Sequence, residues 1–133
     1  MRGVILILLL ATATLGVAAQ WRKVGEGANS TSYVDPDTVR KSGNQTSMAV
    51  LIDFQKPPFD GNNLRYSSLT MQSEYDCTQK QFRVLAIASH TGNMGRGERP
   101  YQTSEPSDWE PVALGTVQKD LWEAACDGRR QPK

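Results

Sequence analysis

Over residues 69–77 polar and apolar side chains alternate without a fault. Leu69, Met71, Ser73, Tyr75 and Cys77 fall on one side, and Thr70, Gln72, Glu74 and Asp76 on the other. Period two marks a strand with one solvated face. Beyond the polar residues 78–80, the run 81–89 carries Val84, Leu85, Ala86 and Ile87 with no polar break, which predicts a central strand buried on both faces. A buried helix of that length has the same composition, but a turn signal between two strand-length runs favours a hairpin. A third strand is predicted over 47–55, with Met48, Val50, Ile52 and Phe54 opposed to Ala49, Leu51 and Asp53. Pro57-Pro58 ends it, and residues 56–63 read as a loop.

Two short extended runs, 21–25 and 32–34, predict an N-terminal hairpin around the Gly- and Asn-containing segment 25–29. Asp35-Pro36 then combines a capping residue with a proline suited to a first helical position, so one or two helical turns are expected over 36–41. Residues 91–108 hold Gly92, Gly95, Gly97, Pro100 and Pro106 and few apolar side chains. They read as a long loop with an edge strand near 99–103, after which 109–112 returns to the core. The last element is a helix over 115–126. Leu114, Val117, Leu121, Trp122, Ala124 and Ala125 share an arc of about 160° on it, and Cys126 sits at the arc's edge. Asp127-Gly128 stops the helix before a basic tail, 129–133, that is expected to be disordered. Three long strands in succession, with short polar loops and no helical pattern between them, argue for an antiparallel meander and against βαβ units. The fold class is therefore α+β: a single antiparallel sheet, a meander of about five to six strands, with a C-terminal helix packed on one face.

The first nineteen residues are a separate object. Arg2 gives a positive start, residues 4–10 are unbroken apolar, and Val17-Ala18-Ala19 is a small-residue cleavage pattern. This is the form of a secretory signal peptide cut between Ala19 and Gln20. As an uncleaved anchor it is short and interrupted by Thr12, Thr14 and Gly16. Gln20 stands where a lipoprotein would carry its cysteine, so the exported chain is expected to be soluble, with no membrane insertion after signal cleavage. The expected organisation is thus a signal peptide over 1–19, one domain over 20–128 and the tail over 129–133. Of the 15 Lys and Arg residues only Arg2 leaves with the signal, which balances the 14 Asp and Glu. A neutral chain has no general electrostatic reason to bind nucleic acid.

Export also decides the reading of Cys77 and Cys126. An oxidising compartment favours a disulfide between them. A metal site would need more ligands than two cysteines and the lone His90, and a redox site would prefer a short Cys-x-x-Cys. No spacing ties His90 to a nucleophile or an orienting acid, so no catalytic residue, no metal ligand and no cofactor is assigned, and the chain is not read as an enzyme. Glu74 and Asp76 share the wet face of one strand and read as cross-strand ion-pair partners, for instance of Arg83. The run Gly92-Asn93-Met94-Gly95-Arg96-Gly97 lacks the ending and the following helix of a phosphate loop and reads as a turn. Asn29 and Asn44 begin glycosylation-type tripeptides. Arg65, Tyr66, Arg96, Arg99 and Tyr101 form a candidate binding surface of the aromatic-and-arginine kind that protein interfaces favour.

Several short pieces together carry a resemblance. They are Trp21-x-x-Val24, Ser32 to Asp35, Ser67-Ser68, Glu74 to Cys77, Arg83, Gly92 with Met94-Gly95, Trp109-x-Pro111-Val112, and a final helix ending in Cys126. In this order and spacing the chain resembles the bacterial surface-adhesin protein E-like domain family, over essentially all of 20–128. The resemblance implies a single antiparallel sheet packed by a helix, export by a Gram-negative bacterium and, for the family's best-known member, adhesion to host extracellular-matrix proteins. It makes Cys77 and Cys126 family cysteines, and Glu74, Asp76, Arg83 and Trp109 scaffold residues. The missing lipid-attachment cysteine departs from the pattern of a surface-held protein. The two functional expectations are accordingly an adhesin-type binding module, at the cell surface or outside the cell, and a periplasmic accessory protein that binds another envelope component.

Overall fold

The sheet is laid down almost entirely in chain order. The structure, a computed structural model, describes residues 19–58 and 65–127. Its strands are β1 (Arg22–Glu26), β2 (Ser30–Ser42), β3 (Gln45–Phe54), β4 (Ser68–Asp76), β5 (Gln81–His90), β6 (Gln102–Thr103) and β7 (Glu110–Pro111). β1 to β6 lie side by side in sequence order, every pairing is antiparallel, and β7 pairs with the other end of β5's outer edge. One helix, α1 (Val117–Cys126), follows. The expected α+β meander with a C-terminal helix is what the chain forms. Residues 1–18 of the expected signal peptide, part of the 56–63 loop and the 129–133 tail lie outside the described residues.

The alternation of β3 and β4 sorts side chains to two unlike faces. On one, Val34, Met48, Val50, Ile52, Met71 and Tyr75 form a buried core with Leu121, Ala124 and Ala125 of α1. Burial pushes the Tyr75 phenol well above its ordinary pKa. The helix is tied down at its end as well as along its face. Cys77 and Cys126 form a disulfide with Cα atoms 5.4 Å apart, and the Trp122 indole N–H donates to the Asp76 carbonyl at 3.0 Å. At the other edge Gly25 of β1 lies so close to α1 that a Cβ there would collide with the Asp120 side chain.

Three expectations are corrected. Residues 36–41 are not helical, because β2 runs through to Ser42. Between the pairs Asp35–Ala49 and Arg40–Ser47, four residues of β2 face Met48 alone. The Thr38 hydroxyl fills the gap by donating to the Asp35 carbonyl at 2.7 Å and accepting the Ala49 N–H at 2.8 Å. Proline and Asp35, whose Oδ1 accepts the Asp37 N–H, therefore serve an enlarged bulge. Nor is β5 buried on both faces, since residues 81–88 are all half-buried. Its register shifts where Gln72 pairs with Ala86 and Ser73 with Val84, leaving Leu85 as the extra residue. That bulge lets Phe82, Val84 and Ile87 all pack on the core cluster, so the unbroken apolar run records a change of phase. Leu114, finally, precedes the helix and is 84% exposed.

Candidate functional site

The face opposite the helix is built from cross-strand rows running over β3, β4 and β5. The row nearest one end of the sheet is Asp53–Ser68–His90; the next is Leu51–Thr70–Ala88, followed by Ala49–Gln72–Ala86. The first row is roofed by the loop after β5. There a 3-10 turn, Asn93–Gly95, is pinned by its backbone: Met94 N–H donates to Asp53 Oδ1 at 2.7 Å and Gly95 N–H to Ser68 Oγ at 2.9 Å. Asn93 adds side-chain bonds to Asp53 and to the Phe54 carbonyl. Gly97 has a positive φ of 84°, and a Cβ there would strike the Thr91 hydroxyl, which accepts the Glu98 N–H. The glycines thus close a tight capping loop, as the sequence led one to expect of a turn.

His90, Ser68 and Leu51 are buried under this roof. His90 Nε2 lies 2.7 Å from Thr70 Oγ1, and its Nδ1 is buried with no hydrogen-bond partner among the described residues. Burial lowers the His90 pKa from the ordinary histidine value, and the Arg99 charge acts in the same direction. Both causes favour the neutral ring. Ser68, the nearest hydroxyl on the same row, is already committed: its Oγ donates to the Gly92 carbonyl at 2.7 Å and accepts from Gly95. A hydroxyl used in this way is not poised as a nucleophile. Among the described residues no group of three His, Cys, Asp or Glu side chains is placed to hold a metal ion.

Past the roof the face opens into a groove of about 500 Å3. Its floor is Ala49, Thr70, Gln72, Ala86 and Ala88. Trp21, just ahead of β1, forms one wall, and Arg99 with residues 102–104 forms the wall beyond β5. Of the five residues of the expected binding surface, only Arg99 lines the groove. Arg65 and Tyr66 lead into β4, Tyr66 standing edge-on to Phe54 with centroids 5.8 Å apart. Arg96 follows the 3-10 turn and Tyr101 is 51% exposed. All five belong to the segments around the β4 start and the β5 end, where Ser67 N–H bonds the His90 carbonyl and Ser89 N–H the Tyr101 carbonyl. The groove itself escaped the sequence reading. Its floor is spread over three strands, and its one signal was small side chains at Ala49, Ala86 and Ala88, where a wet face ordinarily carries long polar ones.

The motif residues outside the groove are structural. Glu74 and Arg83 are cross-strand neighbours with a 3.1 Å ion pair, and the Arg83 guanidinium sits 4.8 Å from the centre of the Trp109 ring. Asp76 Oδ1 accepts the Thr78 and Gln79 N–H groups that form the β4–β5 turn. Asn29 exchanges two side-chain bonds with the Lys56 backbone, each 2.9 Å, which gives this asparagine a structural use independent of glycosylation.

The fold matches solved structures, and the sequence matches a known family. Two crystal structures of protein E from Haemophilus influenzae superpose with TM-scores of 0.61 and 0.60, at 10% sequence identity. The first covers 83% of this chain and 89% of that one, the second 88% and 91%. Protein E from a non-typeable strain of the same organism gives a TM-score of 0.57 at 10% identity, over 84% of this chain and 78% of that one. At such identity the likeness speaks for the fold. No curated protein sequence matches significantly. The family description "Surface-adhesin protein E", however, matches residues 21–127, from the Trp21 wall of the groove to the residue after the second cysteine. By that match over nearly its whole described length, the chain belongs to the surface-adhesin protein E family.

Proposed function

We propose that the chain is an exported, non-enzymatic binding module of the surface-adhesin E type that contacts host extracellular-matrix proteins. The observation that carries this reading is the family match over residues 21–127. The contact surface is the end of the sheet around Arg65, Tyr66, Arg96, Arg99 and Tyr101: Arg96, Arg99 and Tyr101 follow the turn held by the Asp53 and Ser68 bonds, and Arg65 and Tyr66 lead into β4. Signal-peptide cleavage after Ala19 delivers it. Among the described residues no helix is long and apolar enough to cross a membrane.

Protease shaving of intact cells, compared with cells whose outer membrane has been opened, tests the location. Loss of the protein from intact cells is the expected result, and binding of purified protein to immobilised matrix proteins then tests the partner. Survival until the outer membrane is opened would put the protein in the periplasm. The envelope-component reading, which the glutamine at position 20 favours, would then replace the adhesin reading.

A further inference from the structure

The groove on the open face has a chemistry that the proposed protein contacts leave unused. Its floor is flat because three of its five residues are alanines, and β3 to β5 give it a width of two strand spacings, about 10 Å. Its volume of about 500 Å3 falls within the range of about 300–1,000 Å3 usual for small-molecule sites. Gln72 on the floor and Gln102 and Ser104 on the wall have no side-chain hydrogen-bond partner among the described residues, and neither has the Trp21 indole N–H. Each of these amides and hydroxyls can donate or accept, as can the hydroxyl groups of a sugar. An indole beside a flat floor of small side chains suits the apolar face of a pyranose ring.

Charge narrows the ligand further. Arg99 has no ion-pair or hydrogen-bond partner among the described residues, and no acidic side chain among them lines the groove. The His90 geometry supplies a second donor. A buried N–H without an acceptor is rarer than an unused lone pair, so the orphaned Nδ1 is the unprotonated nitrogen and Nε2–H donates to Thr70. The Thr70 hydroxyl hydrogen then has no acceptor among the described residues, and Thr70 lies on the groove floor. A guanidinium and this O–H in a groove without acids call for a carboxylate. We propose that this groove is a binding site for an acidic sugar, with Arg99 and Thr70 taking the carboxylate, Trp21 the ring face, and Gln72, Gln102 and Ser104 the hydroxyls. This goes beyond the proposed protein contacts and stands or falls separately from them, since it uses a site that only Arg99 shares.

The test is a titration of the purified, isotope-labelled chain followed by amide and indole NMR shifts. The probes are D-glucuronate, D-galacturonate and N-acetylneuraminate, with D-glucose as a ring without a carboxylate and acetate as a carboxylate without a ring. At least one acidic sugar is expected to saturate by about 10 mM, well past a Kd of about 1 mM. The Trp21 indole and the Gln72, Ala86 and Ala88 signals should shift together. Glucose should bind about tenfold or more weakly, and Arg99→Gln should remove that advantage. Trp21→Ala should weaken sugar and acid sugar alike. Both positions lie outside the regular strands, and an unchanged amide spectrum will show that the variants fold. Acetate shifting the same signals as strongly as the acidic sugars would reduce the groove to an adventitious ion site only. No shift with any acidic sugar at that concentration, or tighter binding of an acidic peptide there, would overturn the proposal.

Discussion

The two faces of the sheet are made from the same three strands and differ in nearly everything else. Toward the helix, β3 and β4 present Met48, Val50, Ile52, Met71 and Tyr75, large side chains that α1 removes from water. Away from it the same strands present Ala49, Thr70 and Gln72, joined by Ala86 and Ala88 of β5, and a groove lies over them. One end of that face, where Leu51, Ser68 and His90 are buried, is roofed by a loop held through polar bonds to Asp53 and Ser68. Strand pairing and the polar bonds of the roof thus support this face, while apolar burial against α1 and a disulfide support the other. A small sheet can leave one face free for recognition when a helix and a covalent tie stabilise the opposite face.

If that division holds, its breaking points are ordered. Replacing Cys126 by serine, or reducing the disulfide, should cost about 4 kcal/mol in the chain-entropy account of a loop of this length, read as a lower urea midpoint. Leu121→Ala, at the centre of the helix contact, should cost about 3 kcal/mol by cavity formation, measured in the same way. The cross-strand pair is the intermediate case: Glu74→Gln should cost about 1 kcal/mol or less, because Arg83 is partly solvated and keeps its Trp109 stack. Gln72→Ala, on the groove floor, should change stability by no more than about 0.5 kcal/mol. A loss there comparable to that of Leu121→Ala would mean that the open face is core after all.

His90 offers a sharper test because it ties the roof to the open face. Its folded pKa is lowered, so protonation favours the unfolded chain. Its contribution is therefore level above the unfolded value of about 6.5 and is lost as pH falls from there through the lowered folded value. The difference in Tm between the wild-type chain and His90→Gln should narrow as pH is brought from 7.5 to 5, as seen by calorimetry. Salt should alter this little, since the cause is burial first and Arg99 second.

How far the sequence announced these features depended on whether a feature is local. Period two in β3 and β4, the hairpin at 21–34 and the apolar arc of α1 were all legible, because each is set by neighbours along the chain. The 36–41 segment was misread, since Pro36 after Asp35 has the same local form whether it opens a helix or an enlarged bulge. What decided it was the Thr38 hydroxyl reaching across to Ala49. β5 was misread for a related reason: its phase change at Leu85 exists only in register with Gln72 and Ser73. The five surface residues could be named but not arranged, and the groove joins Trp21 to Arg99 across most of the chain's length. Neither of those two positions carries a local pattern.

The bridge between strand end and helix end also bears on how the protein matures. With two cysteines in the chain there is one intramolecular pairing and nothing to reshuffle. Cys77 belongs to the hairpin turn, and its partner sits 49 residues later, at the end of the last element. Synthesis and export in chain order would present all seven strands, β1 to β7, before the second thiol arrives. The closing oxidation would then lock a helix onto a sheet already assembled. For this chain a single dithiol oxidant is enough, and a disulfide isomerase has no wrong bond to correct.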